Sequence, residues 1–213
     1  MIEDNRIYFL KLLSSWQVSI FNYCLLFLSF SSKNFQVSFE EFKPVNMFEI
    51  TKAGASDIPL IRELTFRVWP QTYASILSQE QIDYMLEMMY SESSLKKQMT
   101  EDGCQFIIVY ENGNPVGFAS YSEEETQRWK LNKIYVLQNQ QGKGTGKYMI
   151  NYIIEEIKKL NANSLYLQVN RYNNAKTFYE KLGFAEIDFI NLDIGNGYFM
   201  NDYVMEKKLN DED

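Results

Sequence analysis

The sequence predicts an α/β protein in which a β-sheet is covered by helices. Apolar residues follow a helical period in some segments and alternate strictly in others, which is typical of chains that mix helices and strands. After residue 47 the predicted elements run in the order β-α-α-β-β-β-α-β-α-β-β, without an internal repeat or a linker. Of the 213 residues, 46% are hydrophobic and 15% aromatic, so the chain can bury a large core.

The first predicted elements are a strand and a helix. Phe48–Ala53 alternates as a strand does. The following helix has Ser56 or Asp57 as its N-cap, a proline in its first turn, and Pro70 at its end. Its apolar face consists of Ile58, Ile61, Leu64 and Val68.

A second helix and a hairpin come next. Ser78 and Gln81 predict a capping box for this helix. Its inward residues are Ile82, Met85, Leu86 and Met89. The segment SSLKKQM predicts a further short turn of helix. Two β-rich runs, CQFIIVYE and VGFASYSEE, are separated by NGNP, which predicts a hairpin.

The second half of the chain returns to alternating strands and helices. Arg128–Leu137 is a predicted strand that ends just before the glycine-rich stretch QNQQGKGTGK. The next helix faces inward with Met149, Ile150, Ile153, Ile154, Ile157 and Leu160. A strand at Asn163–Asn170 and a short helix ended by Gly183 follow. FAEIDFINLDI and NDYVMEKKL are the last two predicted strands.

Composition excludes several functions. A net charge of −7 argues against nucleic-acid binding, which needs a basic surface. The chain has no histidine, which excludes Ser-His-Asp and Cys-His catalysis and the usual zinc sites, and we expect no metal. Cys24 and Cys104 are far apart and form no CxxC motif, so two reduced thiols and a cytoplasmic location are expected.

Residues 1–46 differ from the rest of the chain. The apolar run Ile20–Phe30 is too short to span a membrane, and the acidic Glu3 and Asp4 are unlike a signal peptide. Three interpretations remain open: a helix that packs on the domain, a membrane or targeting segment, or translation that begins at Met47. The domain organisation is therefore an N-terminal extension of doubtful status followed by one domain at 47–213, for which we expect no membrane association.

The glycine-rich stretch does not match two common phosphate-binding motifs. A Walker loop would need glycine at position 141 and serine or threonine at 148, where the chain has Gln141 and Tyr148. A dinucleotide fingerprint needs G-x-G-x-x-G after an early strand, whereas the spacing here is G-x-G-x-G. A turn of purely structural origin is the remaining simple interpretation.

Two segments together resemble the signature regions of the GNAT-type N-acetyltransferases. The acetyl-CoA loop of that family reads Q/R-x-x-G-x-G/A, which is matched by Gln141, Gly144 and Gly146. Its second signature, an Asn–Ala–Tyr–Gly–Phe pattern, is matched by Asn173 or Asn174, Ala175, Tyr179, Gly183 and Phe184. The resemblance covers residues 47–209 and implies the GNAT fold: a mixed central sheet with a splayed parallel pair of strands and helices on both faces.

The resemblance implies acetyl-CoA as co-substrate. Glycines before a helix let backbone amides approach its pyrophosphate, with support from the helix dipole. Lys143 and Lys147 can add charge there, or can simply be solvated. The strand before the loop would pair with the pantetheine arm, and the amide of Val136 would polarise the thioester carbonyl. The implied cofactor-binding residues are Ile134, Tyr135, Val136, Gln141, Gly142, Lys143, Gly144, Thr145, Gly146, Lys147, Asn173, Asn174 and Tyr179.

The expected catalytic residue is Tyr179, as a hydrogen-bond donor to the leaving thiolate; the alternative is a packed helix aromatic. Many relatives place a glutamate on the strand before the loop, but this chain has Lys130, Asn132 and Lys133 there. The base could act through ordered water or come from elsewhere. Candidate carboxylates are Asp83, Glu87 and Glu123–Glu125. Candidate acceptor-binding residues, which could also be core, are Trp69, Tyr73, Tyr84, Tyr121 and Tyr198.

The predicted function is transfer of acetyl from acetyl-CoA to a primary amine by direct attack in a ternary complex. RVWPQTY and the second helix are similar to bacterial polyamine (spermidine) acetyltransferases, so a small amine or polyamine is favoured as the partner. A homodimer is left open. The alternatives are a catalytically silent acetyl-CoA-binding module, an acetyltransferase of peptide or protein N-termini, and a membrane-tethered partner protein that depends on residues 1–46.

Overall fold

The computed structural model describes residues 48–209. The expectations for residues 1–46 and for a start at Met47 lie outside this range. The strands are β1 (Phe48–Ala53), β2 (Gln105–Glu111), β3 (Asn114–Glu125), β4 (Arg128–Val136), β5 (Ser164–Asn170), β6 (Ala185–Gly195) and β7 (Tyr198–Lys208). The helices are α1 (Ile58–Tyr73), α2 (Gln79–Tyr90), α3 (Glu92–Thr100), α4 (Thr145–Lys158) and α5 (Ala175–Lys181).

The seven strands form a mixed sheet in the order β1-β2-β3-β4-β5-β7-β6. Every neighbouring pair is antiparallel except β4 and β5, which are parallel and joined through α4. The predicted fold class is therefore confirmed. Four consecutive residues of β2, Phe106–Val109, are buried, which indicates that helices cover both faces of the sheet.

The parallel pair separates partway along its length. The β4–β5 ladder runs only from Arg128 opposite Ser164 to Leu131 opposite Leu167. Beyond it, β4 continues to pair with β3 on its other edge. At the same level the β3–β4 register shifts, so that Asn132 is an extra residue on β4. The sheet therefore opens into a gap at the C-terminal half of β4.

The hairpin between β2 and β3 is formed as the sequence predicts. Asn112 and Gly113 have φ values of 52° and 77°, and the flanking Glu111 and Asn114 are register partners. Two residues with positive φ give the turn geometry whose twist matches that of the strands, and asparagine followed by glycine tolerates it best.

Two local predictions for helix ends are wrong. Pro70 does not end α1, which continues to Tyr73. Its missing N–H leaves only the carbonyl of Phe66 without a helical donor, and Phe66 is an exposed residue, so water can satisfy that group. Leu160 is 53% exposed because α4 ends at Lys158 and position 160 no longer belongs to its apolar face.

The N-terminal cap of α1 also differs from the expectation. Asp57 occupies the N-cap position, but its side chain makes no capping bond. It accepts instead from the amide of Gly54 at 2.9 Å. In α2 the predicted cap is present, because Ser78 Oγ accepts from the amide of Gln81 at 3.3 Å.

Candidate active site

A cleft of about 1410 Å³ follows the gap between β4 and β5. Its walls come from α1 and α2, from the separated ends of β4 and β5, from the glycine loop that precedes α4, and from α5 and β7. The cleft therefore lies where the two signature segments of the sequence meet. Most of the expected site residues line it, and a few do not.

The glycine loop presents unbonded backbone amides at the start of α4. Gly142 and Gly144 have φ values of 80° and 85°, and a Cβ on either would find no atom within 4 Å. Among residues 48–209, no protein acceptor is present for the amides of Gly142, Gly144, Thr145, Gly146 and Lys147. Such an array at a helix N-terminus suits a phosphate group.

The amide and side chain of Lys143 serve the loop itself. Its amide donates to the carbonyl of Gln140 at 3.2 Å, and its ammonium lies 3.0 Å from Glu111 Oε1. Lys143 does not line the cleft, unlike Lys147. The expectation that Lys143 faces the cofactor is corrected, because Glu111 on β2 holds its charge away from the loop amides.

A buried glutamine, which the sequence did not single out, braces this loop. Gln140 donates from Nε2 to Glu111 Oε2 at 2.8 Å and accepts from Thr145 Oγ1 at 3.0 Å. The hydroxyl of Thr145 is thus committed to the protein, and only its amide is available to a ligand. Nothing in the local pattern of QNQQGKGTGK distinguishes Gln140 from its neighbours.

Gly146 meets a packing requirement. Its Cβ would lie 3.1 Å from Cζ of Phe178 on α5, which is closer than an ordinary contact. The absence of a side chain lets α4 and α5 approach each other beside the cleft. Glycine is therefore favoured at positions 142 and 144 by the positive φ, and at position 146 by the close approach of Phe178.

The backbone of β4 supplies polar groups to the gap. Leu137 donates its amide to Val116 of β3 at 2.8 Å. Because alternate residues of a strand direct their N–H and C=O groups to opposite edges, the groups of Ile134 and Val136 point away from β3 and toward β5. The ladder to β5 has already ended there, so these groups can pair with an extended ligand.

Aromatic side chains form the wall of the cleft next to β4. The ring centroids of Trp69 and Tyr73 on α1 lie 4.6 Å apart with the ring planes tilted by 47°, and the hydroxyl oxygens of Tyr73 and Tyr135 lie 3.3 Å apart. Desolvation raises the pKa of both tyrosines, so they stay protonated at neutral pH. These three residues line the cleft, and their contact with the acceptor or the coenzyme stays a prediction.

Tyr179 is buried on α5 and lines the same cleft. Burial raises the pKa of its hydroxyl, and proximity to Tyr73 adds to this shift. A phenol in this setting can donate a hydrogen bond but does not ionise at neutral pH. The structure therefore offers a permanent donor at the position predicted for the catalytic tyrosine.

The two asparagines before α5 have different roles. Asn173 accepts from the amide of Ala175 through Oδ1 at 2.9 Å, and therefore fixes the start of the helix. Asn174 is exposed, makes no capping bond with its side chain and also lines the cleft. Of the pair, Asn174 is free to contact a ligand.

Three of the expected acceptor residues lie away from the cleft. Tyr121 is fully buried against Trp129 at 5.9 Å, which corrects its assignment to the acceptor pocket. Tyr84 packs against Tyr198 with tilted rings whose centroids are 5.5 Å apart, and its hydroxyl donates to the carbonyl of Ile194. Tyr198 lines a smaller pocket of about 260 Å³ next to the cleft.

The carboxylates expected to serve as bases also lie outside the cleft. Asp83, Glu87 and Glu123–Glu125 are exposed, and none of them lines the cavity. Glu123 accepts from the amide of Gln127, and Glu125 pairs with Arg128. Acidic residues are mostly exposed on protein surfaces, as these are.

Sequence reasoning missed a carboxylate that does line the cleft. Asp202 on β7 is only 4% exposed, and desolvation raises its pKa to about 6 against the opposing influence of Arg171 and Lys130. It shares a face of the strand with the buried Val204. An acidic residue at an inward position of an alternating strand is the signal that could have revealed it.

Comparison with known proteins agrees with this geometry. A family model described as an acetyltransferase (GNAT) domain matches residues 73–205. The ribosomal protein bS18-alanine N-acetyltransferase of Haemophilus influenzae is 36% identical over 102 residues, which are 46% of this chain and 66% of that protein, just under two thirds. A spermidine N(1)-acetyltransferase of Thermoplasma acidophilum is 26% identical over 165 residues, or 75% of this chain and 96% of that protein.

Solved structures show the same architecture. The crystal structure of the PaiA N-acetyltransferase from Thermoplasma acidophilum, in complex with coenzyme A, superposes with a TM-score of 0.65 at 25% identity. The alignment covers 76% of this chain and 98% of that one. Within residues 48–209 no helix is both long and apolar enough to cross a bilayer.

Proposed function

Because the chain belongs to the GNAT acetyltransferase family and is therefore an acyltransferase that uses acetyl-CoA, we propose that its domain at 47–213 acetylates a primary amine. The amine attacks the thioester directly in a ternary complex. The observation that carries this proposal is the set of unbonded amides at Gly142 and at the four residues from Gly144 to Lys147, which line the same cleft as the unpaired edge of β4.

The residues around the cleft fit coenzyme A. The loop amides suit its diphosphate, and Gly142 and Gly144 leave the approach open because neither carries a Cβ. The outward-facing groups of Ile134 and Val136 suit the amides of the pantetheine arm, as an added strand would. When bound, the coenzyme supplies the activated acetyl thioester.

The chain's own groups would then assist the transfer. The amide of Val136 would donate to the thioester oxygen as negative charge develops on it. Tyr179 would donate a hydrogen bond to the departing sulfur, because burial keeps the phenol protonated. No cysteine nucleophile is needed. Cys104 does not line the cleft, and its thiol contacts the carbonyl of Asp102 and the side-chain amide of Asn132.

Small amines and polyamines are the acceptors that we favour. The cleft has aromatic and methionine side chains with one buried carboxylate, Asp202, which suits an aliphatic chain that ends in an ammonium group. A relative that matches 75% of this chain is named for spermidine. A peptide N-terminus is the second candidate, since the relative with 36% identity is named for the alanine of a ribosomal protein.

A coenzyme A release assay with polyamines, amino acids, aminoglycosides and peptide N-termini tests the proposal. We expect turnover with at least one primary amine. Tyr179→Phe should lower kcat by about 10²-fold or more with little change in the Kd for acetyl-CoA. Binding of acetyl-CoA without release of coenzyme A for any amine would instead indicate a catalytically silent module. Equal kcat in Tyr179→Phe would remove the role of that phenol.

A further inference from the structure

We propose that Asp202 binds the ammonium group of the acceptor and removes the proton that blocks its attack on the thioester. This inference rests on the proposed acetyl transfer, because it names the base of that reaction. Alkyl amines have pKa values near 10.4, so less than about 0.1% of such an amine is neutral at pH 7. A base within the cleft is therefore needed at the point of attack.

Asp202 occupies the wall of the cleft that faces β4. In the sheet its register partners are Asn170 at the end of β5 and Ile190 of β6. Asn170 lies three residues beyond Leu167, where the β4–β5 ladder ends. The carboxylate thus lies beside the opening of the sheet, where the reactive end of the coenzyme would lie.

Phenol groups connect Asp202 with the thioester side. The carboxylate is near enough to Tyr73 to contribute to the raised pKa of that hydroxyl. Tyr73 in turn lies 3.3 Å from the hydroxyl of Tyr135, which precedes Val136 on β4. Tyr73 also contributes to the raised pKa of Tyr179. The base and the expected donor to the sulfur therefore flank the same phenol.

The carboxylate is not committed to any partner among residues 48–209. None of the ion pairs within 4.0 Å and none of the side-chain hydrogen bonds in this range involves it. Arg171, which follows β5, is held by β6 through the carbonyl of Ile190 at 3.2 Å and through Asn191. A buried anion without a neutralising contact favours a cationic ligand.

The charged groups that face Asp202 leave it ionised at neutral pH. Desolvation raises its pKa, while Arg171 and Lys130 of β4 lower it, with a result of about 6. Tyr73 of α1 remains neutral, and Asp193 of β6 lines the same cleft but is exposed. A carboxyl group in this range can accept a proton from an amine and later release it to water.

The chemical step balances without a further reactant. Asp202 takes one proton from the ammonium group, and the nitrogen then forms the C–N bond with the thioester carbon. The C–S bond breaks, and the departing thiolate, which accepts a hydrogen bond from Tyr179, takes up the second proton of the nitrogen. The products are the amide and coenzyme A, and the proton on Asp202 returns to solvent.

The test is the pH dependence of kcat/KM in the wild type and in Asp202→Asn. For an alkyl amine, the wild-type value should rise with pH through an inflection near 6. In Asp202→Asn that inflection should be lost, and kcat/KM at pH 7 should fall about 100-fold or more. The kcat/KM of this variant should then rise tenfold per pH unit, because the neutral fraction of the amine does so. Asp188→Asn, at an exposed position on β6 outside the cleft, is the matched control and should stay within about twofold.

A second acceptor separates proton removal from a structural role. A fluorinated analogue of the same amine is neutral at pH 8 and does not need the base. Asp202→Asn should lose less than about tenfold with this analogue, although it loses about 100-fold with the parent amine. Calorimetry should give the same Kd for acetyl-CoA in both proteins. Asp202→Glu keeps a carboxylate and should retain the low-pH inflection at a lower rate.

Three results would overturn the assignment while acetyl transfer stands. These are a wild-type profile without an inflection between pH 5 and 7, an inflection that persists in Asp202→Asn, and equal losses for the two amines. If Asp202→Asn does not fold, the wild-type profile and Asp202→Glu still decide the question. A wild type that binds acetyl-CoA but acetylates no amine would refute the proposed function, and the assignment with it.

Discussion

Replacing Gly146 with alanine tests how closely α4 packs against α5 beside the cleft. Gly146 is the second residue of α4 and has no positive φ, so alanine is allowed by the backbone. The new Cβ would lie 3.1 Å from Phe178 Cζ, which is tighter than ordinary van der Waals contact. The effect therefore depends on whether the ring can move.

Two opposite contributions determine how much Gly146→Ala changes the free energy of unfolding. Alanine favours a helix over glycine by up to about 1 kcal/mol. A methyl group inserted against a packed side chain costs about 1–3 kcal/mol. Phe178 is half-buried and lines the cleft, so it can move by a few tenths of an ångström. We expect Gly146→Ala to lower the free energy of unfolding by about 1 kcal/mol.

The assay is urea unfolding of a double-mutant cycle with Phe178→Leu. Leucine has no Cζ, so the contact is relieved and Gly146→Ala should become stabilising by up to about 1 kcal/mol. Gly144→Ala is the control, because its cost of about 1–2 kcal/mol comes from a φ of 85° with no atom within 4 Å. If Gly146→Ala has the same effect in both backgrounds, contact with Phe178 is not the reason for this glycine.

Two further predictions concern lysines. Lys147→Ala should weaken acetyl-CoA binding about 3–10-fold in calorimetry, most at low salt, whereas Lys143→Ala should change it by less than about twofold because Glu111 holds that ammonium; equal losses would contradict this. Desolvation lowers the pKa of Lys133 in the folded protein to about 8, which is below its value in the unfolded chain. Above pH 8 the unfolded chain therefore binds more protons than the folded protein does. The free energy of unfolding should consequently rise above pH 8 by up to about 1.4 kcal/mol per pH unit. Lys133→Met should remove the rise in the free energy of unfolding up to pH 9.5, whereas the control Lys96→Met, at an exposed position, should keep it. If the rise persists in Lys133→Met, Lys133 is not its cause.

Most of the architecture could be predicted because local signals agree with the tertiary structure. Apolar periodicity located the helices, and Asn112-Gly113 located a hairpin whose turn needs these residue types. The errors arose at helix ends. The continuation past Pro70 depends on the exposure of the Phe66 carbonyl, which a one-dimensional pattern does not contain.

For the candidate site, the sequence identified the residues of contiguous motifs but not the residues whose role depends on distant contacts. The loop glycines and Tyr179 belong to contiguous motifs, and the structure places them along one cleft. Lys143 looked equivalent to Lys147 in the sequence, but Glu111, 32 residues earlier, holds its charge. The alternation of β7 could have placed Asp202 on the inward face, but its position beside the cleft depends on the pairing of β7 with β5 and β6, which the sequence does not specify.

The way the sheet opens explains why the carboxylate lies on β7. The cleft has two strand walls, β4 on one side and the β5–β7 pair on the other, and either could carry a base. The polar side chains of β4 that line the cleft are Lys130, Asn132 and Lys133, and none of them is a carboxylate. Asn132 donates to Ser122 of β3 at 2.7 Å, and Lys133 donates to Gln98 of α3 at 2.6 Å. The opposite wall has a buried carboxylate with no partner of this kind, so an ammonium group that enters the cleft is drawn to Asp202.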